Sequence, residues 1–178
     1  AAAWGGWSQV DRLLTRELWL DTQFDGLGRE LLARAATARR EDTVALRQAR
    51  FALDATTNPR TRGIRGVLVA RAFDRMDSLD RAATSYAEAA SLLPDVADWL
   101  HLRAAVVTGD SAARALHYAT LQTQAAKARV PWVDAQARER SGDLASATLA
   151  YDALGARVTS LRLRLAEATG AGDTAARS

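Results

Sequence analysis

Between residues 79 and 93 the apolar positions Leu79, Ala82, Ala83, Tyr86, Ala90 and Leu93 fall at i, i+3, i+4 and i+7 spacings, the mark of a helix with one buried face. Pro94 then opens a segment in which Val96, Trp99, Leu100, Leu102, Val106 and Val107 spread around most of a helical circumference. A helix that is apolar on several sides is one flanked on several sides. The alternation continues towards the C-terminus. Ala112, Ala115, Leu116 and Ala119 outline one helix and Val130-Pro131-Trp132-Val133 enters the next. Leu144, Ala147, Tyr151 and Leu154 outline another, and Val158, Leu161, Leu165 and Ala168 the last. On the N-terminal side, residues 43–55 read as a helix with Val44, Leu46 or Arg47, Phe51 and Ala55 close together, broken by the run from Thr56 to Gly63. Ahead of it, Ser8 is placed to cap a helix carrying Val10, Leu13, Leu14, Leu18 and Trp19. Asp21 through Gly28 reads as a turn, and Leu27, Leu31, Leu32 and Ala35 continue as a second helix.

The joints between these helices repeat. In Thr108-Gly109-Asp110-Ser111 the glycine suits a left-handed helix end and the aspartate suits the first free amides of the next helix. Ser141-Gly142-Asp143 and Ala171-Gly172-Asp173 read as the same joint, and Met76-Asp77-Ser78 and Glu41-Asp42-Thr43 as the joint without its glycine. The aspartates then fall at 42, 77, 110, 143 and 173, a period in the low thirties that suits stacked helix pairs. Pro59, Pro94 and Pro131 recur once per unit near helix starts, where a missing amide costs nothing, and Tyr86, Tyr118 and Tyr151 keep nearly the same period.

Gly142-Asp143, Ala147 and Tyr151, with Pro94 and Trp99 opening the other helix, resemble the tetratricopeptide (TPR) class of helix pairs. The periodicity predicts an all-α chain. The resemblance implies a right-handed superhelical solenoid of antiparallel helix pairs, about four pairs plus terminal caps. Residues 1–40 are then an N-terminal arm with a leading helix pair, and residues 41–178 one continuous array of TPR-like repeats. The stretch from Leu92 to Ala105, with the Gly-Asp joints around it, is also similar to the superhelical, non-catalytic region of bacterial soluble lytic transglycosylases, which cleave peptidoglycan. That family's chemistry lies in a separate lysozyme-like domain with a Glu-Ser signature, and no Glu-Ser pair occurs in this chain.

Composition supports the helical reading. Alanine supplies 40 of the 178 residues, and Ile64 is the only isoleucine, which leaves little material for strands. Absence of cysteine removes disulfides, thiolate metal sites and thiol nucleophiles. No apolar run approaches the roughly 20 residues that cross a bilayer. The start Ala1-Ala2-Ala3 fits the residue of a signal-peptide cut, and a chain trimmed at that point looks the same. A periplasmic or cell-envelope location is therefore expected, with the cytoplasm left open.

Charge is lopsided between Arg34 and Arg75, where ten arginines stand against Glu41, Asp42, Asp54 and Asp74. Arg60, Arg62 and Arg65 are its densest cluster. Two readings stay open: a solvated loop and helix start, or a contact for carboxylate, phosphate or acidic headgroups, which the planar guanidinium grips better than lysine does. Arg71 joins them as a contact candidate, and Arg65, Arg71 and Arg103 are the arginines that would face inward in a peptide-binding adaptor. Nucleic acid is disfavoured, because the net charge is only +3 and aromatic residues do not interleave the cluster. Trp4 and Trp7 flank Gly5-Gly6, either as an arm covering the open end of the first helices or as an anchor on a partner.

Catalytic, cofactor and metal residues are not proposed. His101 and His117 are the only histidines and lack ligand-type neighbours at i+4, while Asp77 with Asp80 and Asp95 with Asp98 lie at helix starts, where carboxylates serve the amides and the macrodipole. The expectation is a non-catalytic scaffold that contacts protein partners in a larger membrane-associated assembly, with an anionic membrane surface or peptidoglycan as further contacts. The alternative is the superhelical domain of a lytic transglycosylase whose catalytic domain lies outside this chain.

Overall fold

The computed structural model describes residues 5–21 and 23–175, so Trp4 lies outside the described residues. Within them the chain forms helices and no strand. The α-helices are α1 (Trp7–Leu14), α2 (Leu27–Ala38), α3 (Asp42–Asp54), α4 (Pro59–Arg75), α5 (Leu79–Leu92) and α6 (Ala97–Val107). They continue as α7 (Ser111–Ala119), α8 (Gln124–Lys127), α9 (Val130–Arg140), α10 (Leu144–Ala153) and α11 (Arg157–Ala175). From α1 to α7 each helix packs on the next, α9 returns to pack on α6, and α10 and α11 follow in series.

Local chemistry explains most of the boundaries. Asn58 caps α4 by accepting the Thr61 amide at 3.0 Å, and Pro59 stands at the first turn. Asp110 accepts the amides of Ala112 and Ala113, both at 3.1 Å, and Asp143 accepts that of Ser146 at 3.2 Å. Four helices end through a residue of positive φ: Arg40 (61°), Asp77 (52°), Gly142 (83°) and Gly155 (72°). After each, the next amide reaches back to close the final turn, as Ser78 does to the Phe73 carbonyl at 3.0 Å.

These ends correct the single register of aspartates. Asp110 and Asp143 are N-caps, Asp42 is the first residue of α3, and Asp77 itself takes the left-handed position that a glycine would otherwise fill. Gly109 is not among the positive-φ residues, because Thr108 leaves α6 in an extended conformation. Ala171-Gly172-Asp173 is no joint at all, since α11 runs through it to Ala175.

The larger core is built where the periodic pattern is strictest, with Val69 and Phe73 of α4, Tyr86 of α5 and Leu100 and Val107 of α6 among buried alanines of α2, α3, α5 and α6. Alanine lets the backbones come close, and glycine closer still: a Cβ on Gly63 would stand 2.6 Å from Leu93 Cγ. A smaller core joins Ala135 of α9, Ala147 and Tyr151 of α10 and Leu163 of α11.

Two expected apolar stripes face outward, and that of the first helix is broken, with Val10 buried. No residue of α7 is buried and Leu116 is exposed. On α11 the buried residues are Ser160 and Leu163, whereas Val158, Leu161 and Leu165 are exposed. Leu18 and Trp19 belong to a separate 3₁₀ turn rather than to the first helix, and Leu18 is open to solvent. Trp99 is likewise 45% exposed, not a core ring.

Candidate functional site

One face of α3 presents Thr43, Leu46, Arg47, Arg50, Phe51 and Asp54, residues spaced three or four apart, with Arg29 of α2 5.3 Å from the Phe51 ring. With Met76 at the end of α4 they line a concavity of about 410 Å3. Arg50 also borders a second concavity of about 280 Å3, shared with Phe73 of α4 and with Asp80, Arg81, Ser85 and Glu88 of α5. A third, of about 330 Å3, continues along Leu53, Arg62, Gly66, Val69, Ser85 and Glu88. Shared residues make these one groove, with α3 and α5 as its walls and α4 as its floor.

The centre of the groove is a stack. The buried Phe73 ring has the Arg50 guanidinium 5.2 Å from its centroid and the Arg81 guanidinium at 5.8 Å. Each cation rests against the ring while its N–H forks stay open to solvent. Arg47, one turn before Phe51, is exposed as well. Within the described residues Arg47, Arg50 and Arg81 make no hydrogen bond and no ion pair. Asp54 lines the first concavity beside Arg47 and Arg50, and Asp80 and Glu88 line the second beside Arg50 and Arg81, so the groove is bipolar.

The arginines singled out from the sequence are not brought together. Arg60 is exposed and meets Asp95 at 3.2 Å. Arg62 donates to the carbonyls of Leu53 at 3.2 Å and Thr56 at 3.4 Å, closing the end of α3. Arg65 points inward: its side chain is 2% exposed, with Nε 3.2 Å from Glu30 and Nη1 2.7 Å from the Ala52 carbonyl. The contact role expected of Arg65 is thereby corrected, since an arginine walled in by α2 and α3 reaches no partner. Arg103 is committed to Asp74 at 2.9 Å, where Arg140 of α9 also arrives at 2.6 Å.

Arg71 and Trp7 do come together. Along with Arg34, Thr37, Ala38 and Leu68 they line a cleft of about 240 Å3, and Arg71 lies 6.0 Å from the Trp99 ring. Of the arginines singled out, Arg62 lines the third concavity of the groove, whereas Arg47, Arg50 and Arg81 were missed by sequence reasoning because density along the chain was the criterion. Arg47 and Arg50 are one turn apart on α3, and Arg81 enters only through folding.

His101 of α6 and His117 of α7 sit with ring centroids 5.7 Å apart. Burial lowers the pKa of both; His117 is lowered further by His101, whereas Asp98 partly restores His101. Among the described residues no group of three or more His, Asp or Glu side chains is arranged to hold a metal ion. Nor is any helix long and apolar enough to cross a membrane.

Comparison with protein-family models, with curated proteins and with solved structures finds no match to this chain.

Proposed function

We propose that this chain is a non-catalytic helical-repeat scaffold, a TPR-like right-handed solenoid, that mediates protein–protein contacts. The observation that carries the reading is the groove between α3 and α5, because three of its arginines, Arg47, Arg50 and Arg81, are left unpaired in a chain that pairs so many others. Arg34, Arg39, Arg65, Arg75, Arg103, Arg114, Arg138 and Arg140 all meet carboxylates. Free guanidiniums beside exposed Phe51 and Met76 have the composition of a contact surface. The other charged groups support the non-catalytic part of the reading: Glu30 and Asp74 are clasped by arginines, and Asp98 accepts the Gln122 and Thr123 amides.

A place in the bacterial cell envelope, on a larger membrane-associated complex, is the extension of this reading. It draws on the likeness of residues 92–105 to the superhelical region of lytic transglycosylases. The exposed Val158, Leu161 and Leu165 of α11 favour a second reading, in which that face seats the catalytic domain of a wall-cleaving enzyme.

Purification of the native complex, with intact mass spectrometry of everything that accompanies the chain, tests both. Stoichiometric protein partners and no release of soluble fragments from peptidoglycan are expected. A chain that purifies alone overturns the scaffold, and a linked lysozyme-like domain with fragment release establishes the second reading.

A further inference from the structure

Resting on that scaffold reading, we infer that the groove between α3 and α5 takes an extended acidic segment of a partner protein, with one aromatic or aliphatic side chain seated beside Phe51 and its neighbouring carboxylates on Arg47, Arg50 and Arg81. The first argument is charge. Three exposed guanidiniums border adjoining concavities and none is neutralised within the described residues. Two of them are held over one phenylalanine ring, at 5.2 and 5.8 Å, so their N–H forks are oriented before a ligand arrives. A carboxylate matches such a fork with two parallel hydrogen bonds.

The second argument is shape. The concavity of about 410 Å3 is walled by Leu46, Phe51 and Met76, with Phe51 and Met76 both exposed. That volume suits one large apolar side chain and not a folded domain. Asp54, Asp80 and Glu88, which line the same concavities, refine the match. They repel a segment that is acidic throughout and leave room for one whose acids are gathered next to its apolar residue.

Fluorescence anisotropy with labelled twelve-residue probes tests this: one with acids flanking a single phenylalanine, one with serine in place of that phenylalanine, and one with lysines in place of the acids. The first should bind at least about tenfold more tightly than the other two, and more weakly as salt rises. In R50Q/R81Q its affinity should fall by about tenfold or more, with helical circular dichroism unchanged and the melting temperature lowered only slightly by loss of the two stacks on Phe73. Equal binding of the lysine probe, an R50Q/R81Q variant that binds like the wild type, or no binding at all overturns the inference. So does binding of the wild type to phosphatidylglycerol vesicles that displaces the acidic probe, which would assign the arginines to lipid. Native complexes separate this failure from that of the scaffold. If the wild type and R47Q/R50Q/R81Q both keep stoichiometric partners, only the groove assignment falls; if the wild type has none, the scaffold reading falls with it.

Discussion

Arg65 holds a permanent charge where water scarcely reaches, and its worth lies in what it connects. Glu30 of α2 and the Ala52 carbonyl at the end of α3 both accept from it, so one side chain fixes three helices. Removing it leaves Glu30 with Arg34 alone, takes the side-chain donor from the Ala52 carbonyl and opens a cavity among three helices, at a cost of about 2–5 kcal/mol. Arg65→Ala should therefore lower the denaturation midpoint severely in a urea titration, while Arg60→Gln, five residues earlier and in an exposed pair, should stay within about 0.5 kcal/mol of the wild type. Equal effects would mean that burial does not separate them. Sequence could not, because the partners Glu30 and Asp95 each lie 35 residues away and in opposite directions. Glycine gives a second contrast. Gly142 has φ +83° and Gly109 an ordinary φ, with open space around both. Gly142→Ala should cost about 1–2 kcal/mol through backbone strain, whereas Gly109→Ala should be neutral or slightly stabilising by narrowing the unfolded ensemble. Thermal melts of the two variants check this, and a shared loss of stability would contradict it.

Among the helices, α7 is held through partly buried side chains only. It buries no residue, and the His101–His117 contact lies on its seam with α6. Both histidines have folded-state pKa values below the ordinary one, so the unfolded chain binds more protons once the pH drops under about 6.5. Stability from this seam is fully present above that pH and is lost as the pH falls towards the folded values. The wild type should melt at a lower temperature at pH 5 than at pH 7.5, and His117→Gln should reduce that difference by removing the paired charge. If the variant keeps the whole difference, the seam is not its source. The helices as a class were legible in the sequence: the spacing from Leu79 to Leu93 puts Ala82, Tyr86 and Ala90 into the core where a one-faced helix needs them. The stripes of α7 and α11 were not, since Leu116 and Leu161 look the same along the chain whether or not a neighbour covers them. Joints were half legible for a similar reason. An aspartate serves equally as N-cap at 110 and as left-handed helix end at 77, and only the backbone tells the two apart.

Across the whole molecule, coupling between the N-terminal and C-terminal helices runs through a narrow seam. There α9 is tied back by Ala105, Val106 and Val133 at the α6–α9 contact, by the pair of Asp134 with Arg114 of α7 at 3.2 Å, and by Asp74. That carboxylate, at the end of α4, receives Arg103 from α6 and Arg140 from α9, 66 residues further along the chain. A core made largely of small side chains gives modest apolar burial per contact, so a charge cluster joining three helices carries more of the cooperativity than it would in a leucine-rich protein. The same logic explains why the groove was not foreseen: its unpaired arginines come from α3 and α5, and the ring shared by Arg50 and Arg81 from α4. Asp74→Asn keeps the shape and one hydrogen-bonding oxygen but leaves Arg103 without a counter-charge and Arg140 with only the exposed Asp77 at 3.4 Å. In native-state hydrogen exchange, amides of α9 to α11 should then open well before those of α3 to α6, and urea unfolding should broaden or split in two. A variant that unfolds in one transition, with protection lowered evenly from α3 to α11, would show that the apolar α6–α9 contact alone couples the array. Because Asp74 does not line the groove, the acidic probe should still bind to Asp74→Asn under folding conditions. Loss of the coupling and loss of the ligand are thus separable in one protein.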